Sequence, residues 1–477
     1  ALMRRIVRNT IFMSLFGIMA RGSGLIRYYF LVLFLSDVNF GVLKLATDVG
    51  GIARAFIDGG LDQLVSRDGA RRPEQLPRFF WTACILKICL AVIFFALSPY
   101  ILLRFMNPSE VWVAIIYAGF VVCLSLAGVV RSSFTALERM EYVFYTNVPS
   151  RTLGLLVVII VLVLGAPIAV VAAAMGLENI LWLLFLLVII LRFIPLGRPR
   201  VDLSQARWML SESWPMALYG FFTTLYLRLD TLMLKWLLPP DSAIQNVGIY
   251  GKAQYPIEGI SLLLTGYIIA VFPVFSRLQI EDRAAFASLF RRSAVLLAGI
   301  TVPLSIMIGG WADGWLSLFP NKYPGSVTVL CILAVTLNFS LLNVFIITIF
   351  TACDRQRWLV LFTCLTVAVS FISNLIMIPP LGNIGAAYAS LGSQVFLFVV
   401  MLTILWAEVD IAPPLARWIG LLVSANVAAL FCFWLLPPGW VLLLPFPFLA
   451  CFALVAFTLR VVKREDIQLL RRSLRSA

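Results

Sequence analysis

The 477-residue sequence contains no histidine. A histidine-ligated metal site is therefore excluded, and any proton relay would have to run through carboxylates. Cysteine is sparse and shows no Cys-x-x-Cys spacing. The eight, at 84, 89, 123, 331, 353, 364, 432 and 451, fall in or at the ends of apolar runs and read as small buried hydrophobes, so neither a metal nor a cofactor is expected. Charged residues make up only 13% against 62% hydrophobic, a balance that suits repeated membrane crossing and that no single soluble core would accommodate. A short signal-peptide core is also missing: the first apolar run, about Asn9 to Leu35, is too long for one and reads as the first span.

Apolar runs and their charged interruptions predict an all-α polytopic membrane protein of about fourteen helices, near 9–35, 40–62, 79–103, 110–136, 148–165, 168–194, 212–238, 246–274, 289–318, 325–352, 358–378, 384–406, 415–436 and 441–462. Alternate loops are rich in arginine, from Arg4, Arg5 and Arg8 through Arg71, Arg72, Arg198, Arg200, Arg291 and Arg292 to Arg471 and Arg472, whereas the opposite loops offer only Arg104 and Lys322. By the positive-inside rule both termini are expected in the cytoplasm. The same asymmetry explains much of the +14 net charge, which points to anionic membrane lipids as partners and not to nucleic acid. Loops on the far side, such as Ser36–Asn39 and Leu381–Asn383, are too short to house chemistry.

The longest polar connection separates two sets of six spans, which predicts parallel repeats. The expected organisation is an N-lobe at 1–197, a linker at 198–211, a C-lobe at 212–408, and spans 13 and 14 with an amphipathic tail at 409–477, where Ile467, Leu470 and Leu474 form a stripe. Weak internal similarity supports the repeat: Asn39-Phe40-Gly41-Val42, Asn246-Val247-Gly248-Ile249 and Asn383-Ile384-Gly385-Ala386 each open a span, and each also reads as an asparagine cap followed by a small residue for close packing.

Charge at membrane depth is the informative feature. Arg21, Arg27, Lys44, Arg54, Arg228, Lys235 and Lys252 lie within otherwise apolar spans, and a one-sign cluster in such places usually lines a watered cavity for an anion. In span 2, Lys44, Asp48, Gly51, Ala55, Asp58 and Asp62 recur at helical spacing within about 80° of arc, with Arg54 at one border. Internal pairs, Lys44 with Asp48 and Arg54 with Asp58, would also explain that stripe. Arg21 and Arg27 flank Gly22-Ser23-Gly24 and have no acid on their own helix, while Glu178 in span 6 stands alone. Thr224, Arg228, Thr231 and Lys235 share one face of span 7, with Tyr226 and Asp230 largely opposite. Span 8 adds Lys252, Gln254 and Glu258 around Pro256, which interrupts the hydrogen-bond ladder. The candidate anion-binding residues are Arg21, Arg27, Lys44, Arg54, Arg228 and Lys252, with Tyr226 and Gln254 as further cavity candidates. Asp48, Asp58, Asp230 and Glu258 are candidates for a coupling ion or for ion pairs.

Arg21-Gly22-Ser23-Gly24-Leu25-Ile26-Arg27 resembles the first-span pattern of the lipid II flippase (MurJ) family. Leu227-Arg228-Leu229-Asp230 through Gly248-Ile249-Tyr250, Phe272-Pro273-Val274-Phe275-Ser276-Arg277, Arg131-Ser132-Ser133-Phe134 and Ile378-Pro379 are similar to the Wzx-type polysaccharide flippases. Both are branches of the multidrug/oligosaccharidyl-lipid/polysaccharide (MOP) exporter superfamily. The resemblance implies a two-lobed, V-shaped carrier in the bacterial cytoplasmic membrane that moves a polyprenyl-diphosphate-linked glycan, such as an O-antigen or exopolysaccharide unit, to the outer leaflet by alternating access. A coupling cation, H+ or Na+, is a candidate partner. Wzx members often have twelve spans, so the count of fourteen keeps lipid II flipping as an alternative. The rivals are a multidrug cation antiporter, which would want carboxylates rather than arginines in span 1, and a glycan polymerase or ligase, which would want large outer loops.

Overall fold

The computed structural model describes residues 17, 19, 22–193, 202–317, 324–353, 355, 357–409, 414–435, 448, 450–452 and 455, and every regular element among them is helical. The chain is an all-α, multi-pass membrane protein. It begins with α1 at Gly22–Phe34. There follow α2 Asp37–Asp58, α3 Leu61–Arg71, a short 3-10 turn at Pro73–Gln75, α4 Leu76–Leu102, α5 Pro108–Ala136, α6 Met140–Val163 and α7 Ile168–Phe193. The chain then continues through α8 Leu203–Leu237, α9 Pro240–Glu281, α10 Arg283–Gly310, α11 Ala312–Ser317, α12 Pro324–Ala352, α13 Arg357–Val409 and α14 Leu415–Leu435. Each of the first thirteen expected spans meets one of these helices. Span 14 and the tail stripe at Ile467, Leu470 and Leu474 lie mostly or wholly outside the described residues.

Local chemistry explains most helix boundaries. Ser36 caps α2, its hydroxyl accepting the backbone N–H of Asn39, so the expected asparagine cap is a serine cap three residues earlier. Asn107 and Glu110 form a capping box at the start of α5, with Pro108 at the first helical position, where its missing N–H costs nothing. Asp202 caps α8, so the expected 198–211 linker is helical from Leu203 onward. The expected break at Leu381–Asn383 is a sharp turn within α13, where Gly382 has φ 59 and ψ −132. By contrast α9 runs helical through both Pro256 and Pro273, so the expected interruption does not end it.

The small residues of the repeated Asn-x-Gly motif do pack closely. A Cβ on Gly41 would overlap the Ile244 carbonyl of α9, and one on Gly248 would overlap the Asp37 carbonyl of α2. The two helices therefore cross at backbone contact.

The chain forms two compact units, Ala1–Gly251 and Lys252–Ala477. The expected lobes are halves of a repeat, whereas in packing α8 and the start of α9 go with the first unit. Its apolar core gathers Leu61, Phe79, Phe80, Phe134 and Trp182 among others. The second unit is built on a ring cluster that includes Phe275, Phe290, Phe345 and Phe350. Outward-facing side chains such as Val92, Leu164 and Ile376 are apolar, as a lipid-facing surface requires. That surface also corrects the cysteine expectation, because Cys89 and Cys364 are exposed while Cys353 is buried.

Candidate functional site

The polar face of α2 meets the polar face of α8. Asp48, with 0% exposure, is the meeting point. Its Oδ1 lies 2.9 Å from Lys44 Nζ and 3.0 Å from Arg228 Nη1, and its Oδ2 accepts the Thr231 hydroxyl at 2.5 Å. The expected Lys44–Asp48 pair is therefore present, and Arg228 joins it from α8. One turn further along the same stripe, Lys235 Nζ is 2.8 Å from Glu110 Oε1, both buried, and the capping box holds Glu110 in place. Burying such pairs is costly, and it is sustained only where each charge finds partners, as these do.

Nearer the other end, α2 does not continue to Asp62 as its periodicity suggested. Gly59 (φ 51) and Gly60 (φ 72) are both left-handed, a conformation that costs glycine little, and the chain restarts as α3. A Cβ on Gly60 would also come within 2.8 Å of the Ser213 carbonyl on α8. The break leaves Asp58 and Asp62 on either side of one ammonium: Lys87 Nζ, from α4, is 2.8 Å from Asp58 Oδ1, 2.7 Å from Asp62 Oδ1 and 2.8 Å from the Ser125 carbonyl. Its three hydrogens thus meet three acceptors. Arg131 Nη2 on α5 lies 3.6 Å from the other Asp62 oxygen. Asp58 is therefore paired with Lys87, and the expected Arg54–Asp58 pair does not form.

Between these two clusters lies a cavity of about 360 Å3 lined by Arg54, Asp58, Asp62, Arg131, Thr224 and Arg228 among others. The volume falls in the range of small-molecule sites. Arg54 is exposed to it and makes no hydrogen bond or ion pair among the described residues; the charges acting on it are Arg131, which repels, and Asp62 and Asp58, which attract. In and around the cavity, the cations Lys44, Arg54, Lys87, Arg131 and Arg228 outnumber the carboxylates Asp48, Asp58 and Asp62. An anion seated against Arg54 would balance that excess.

The remaining expected residues are placed as follows. Arg21 lies outside the described residues. Arg27 Nη1 is 2.9 Å from Glu178 Oε2 on α7, which gives the lone Glu178 a partner and holds Arg27 against it. Asp230 is buried and accepts the Tyr250 hydroxyl at 2.6 Å, and Tyr226 is half-buried on α8. Lys252 is fully buried in α9 at the start of the second unit, followed by half-buried Gln254 and Glu258. Outside the spans, Arg67 on α3 bridges Asp68 at 2.8 Å and Glu212 of α8 at 2.9 Å, and these hydrogen bonds, Asp68 first, push its guanidinium pKa up.

The sequence reading missed Lys87 and Glu110 and gave Arg131 no role. Lys87 had a legible signal, since it is a lone lysine inside the 79–103 apolar run and falls under the same rule that singled out the other seven.

The fold matches solved transporters of the MOP superfamily. A lipid II flippase MurJ in an inward closed conformation superposes with a TM-score of 0.75 at 12% identity, over 95% of this chain and 99% of that one. A multidrug resistance MATE family transporter in an inward-facing conformation gives 0.66 at 15%, over 84% and 98%. A MOP superfamily transporter from Pyrococcus furiosus, described by a binding pocket of reverse polarity, gives 0.60 at 15%, over 85% and 95%. No curated protein sequence matches the chain. The family model described as polysaccharide biosynthesis protein matches residues 6–279, more than half of the chain, and the chain belongs to that family. Its fold is that of these solved transporters.

Proposed function

We propose that the protein flips a polyprenyl-diphosphate-linked oligosaccharide, such as an O-antigen or exopolysaccharide repeat unit, from the cytoplasmic to the outer leaflet of a bacterial inner membrane, with both termini cytoplasmic. The observation that carries this reading is Arg54, an arginine without a hydrogen-bonded or ion-paired partner among the described residues, on a cavity it shares with Arg131 and Arg228. Guanidinium forks suit the paired oxygens of a diphosphate. Arg54 and Arg131 repel each other, and an anion lying between them would attract both. Arg228 can turn from Asp48 toward the same anion. Arg27 and Lys44 are held by Glu178 and Asp48 and contribute to the field more than to direct contact. The glycan would occupy the cavity beside the diphosphate while the prenyl chain stays in lipid, and rocking of the two six-helix lobes would carry the head group across.

The energetics permit this. With the cytoplasm negative, moving about two negative charges outward gains roughly 4–5 kcal/mol per 100 mV. A coupling cation, H+ or Na+, would compete with Lys87 and Arg131 for Asp58 and Asp62, the carboxylates that line the cavity. Lipid II is the alternative substrate, favoured by the superposition on a lipid II flippase over nearly the whole chain.

The test is reconstitution in proteoliposomes with a fluorescent polyprenyl-diphosphate sugar, a lipid II analogue and a cationic dye. Flipping of a diphosphate lipid that accelerates when the loading side is negative supports the reading. Transport of the dye alone overturns it in favour of a drug exporter.

A further inference from the structure

A second, smaller cavity of about 310 Å3 lies away from the substrate cavity, where the turn from α3 into α4 faces the first turn of α8. Arg72 closes α3, the 3-10 turn Pro73–Gln75 swings the chain around, and Arg78 follows in the first turn of α4. Both arginines are exposed, line this notch and make no hydrogen bond or ion pair through their side chains among the described residues. The opposite wall is Asp202, Ser204 and Gln205. Asp202 is committed to its own helix: its Oδ1 accepts the Ser204 hydroxyl at 2.6 Å and the Ser204 backbone N–H at 2.9 Å. The Ser204 hydrogen bonds hold its carboxyl below the usual range, with Arg78 adding to the effect. The notch thus keeps two guanidinium groups against one carboxylate and has neutral donors between them. Its floor is apolar, with the Phe79 and Trp208 rings 6.0 Å apart.

Two features identify the ligand's source. The notch sits where the membrane-spanning α4 begins, in a stretch of sequence that carries Arg67, Arg71, Arg72 and Arg78. On α8, Leu203, Leu210 and Trp214 are all exposed and fall on one face at helical spacing, a face fit for lipid, while Trp208 points about a third of a turn away into the notch.

We propose that this notch seats the phosphate of an anionic phospholipid headgroup, with Arg72 and Arg78 as its ligands, the amide of Gln75 as a further donor, and the Trp208 ring beneath the glycerol. The single positive excess matches the one negative charge of phosphatidylglycerol, and two guanidinium groups disfavour a choline headgroup. The inference concerns a lipid held at the rim of the first unit and stands whether or not the transported molecule is a lipid-linked glycan.

The test uses the full chain in nanodiscs of phosphatidylcholine with and without phosphatidylglycerol. It compares wild type with an Arg72→Gln/Arg78→Gln variant and with Arg207→Gln, an exposed arginine on α8 that does not line the notch. Native mass spectrometry counts retained phosphatidylglycerol, and thermal unfolding gives the stabilisation the lipid confers. Wild type and Arg207→Gln should retain one phosphatidylglycerol that the double variant holds about tenfold more weakly, the effect of losing charge-assisted hydrogen bonds. The double variant should also lose the phosphatidylglycerol-dependent rise in melting temperature. Equal retention by the double variant overturns the proposal. So does inorganic phosphate added to phosphatidylcholine nanodiscs, if it reproduces the stabilisation and makes the notch a site for a free anion.

Discussion

In the first unit the buried polar side chains include Lys44, Asp48, Lys87, Glu110, Asp230 and Lys235; in the second, apart from Lys252 at its first residue, the described ones are serines, threonines, asparagines and a glutamine. The contrast extends to how each unit satisfies them. Lys87 in the first unit gathers two carboxylates and a carbonyl, whereas in the second Asn343 donates to the Gln394 side chain at 2.6 Å and to its backbone carbonyl at 3.0 Å. In the second unit Arg355, in the connection between α12 and α13, pairs with Glu408 near the end of α13, and both are partly exposed. Packing there comes from rings, as where Phe345 stacks on Phe290 with centroids 5.5 Å apart. A neutral interior is the inexpensive solution inside a membrane. The first unit departs from it, and does so around a cavity, and the proposed handling of charge there rests on that contrast.

The contrast is broken most strongly at Lys87. Lys87→Met leaves Asp58 and Asp62 facing each other without their ammonium, and should destabilise the protein by about 3–5 kcal/mol in thermal unfolding. Adding Asp58→Asn and Asp62→Asn should restore much of that loss, because the three residues act as one network. The corresponding step in the second unit is smaller. Asn343→Leu removes the donor to the Gln394 side-chain oxygen and should cost about 1–3 kcal/mol, while Asn343→Leu with Gln394→Leu should recover much of that loss, since an apolar pair suits that interior. Arg54→Gln should change stability by no more than about 0.5 kcal/mol, because its side chain makes no hydrogen bond or ion pair among the described residues and the repulsion from Arg131 opposes the attraction of Asp58 and Asp62.

Asp202→Asn should have the smallest effect, and one that depends on pH. Its folded-state pKa is depressed, so the cap on α8 contributes above the ordinary carboxylate range and fades as pH falls through the lower folded value. The variant should match wild type in acid and fall slightly behind it near neutrality, as read by unfolding at a series of pH values.

Much of this was legible in the sequence. The helices follow from apolar runs, and the Lys44–Asp48 pair follows from i, i+4 spacing within one helix. What escaped depends on contacts between helices, which leave no periodic trace. Glu178 could not be matched to Arg27, nor Asp48 to Arg228, because 151 and 180 residues of sequence separate them. The break at Gly59-Gly60 was hidden by a coincidence: Asp58 and Asp62 are four apart, as on a continuous helix, although two left-handed glycines stand between them. Lys87 is different, since its position in an apolar run marked it, and only its partners required the structure.

The central claim is that the cationic cavity of the first unit binds the diphosphate through an arginine held free for it. The most direct measurement is the flipping rate of a polyprenyl-diphosphate sugar in proteoliposomes by Arg54→Gln and Arg54→Lys, beside their melting temperatures. The account predicts that Arg54→Gln loses at least about tenfold in rate with an unchanged melting temperature, and that Arg54→Lys recovers part of it. Wild-type flipping by Arg54→Gln would contradict it.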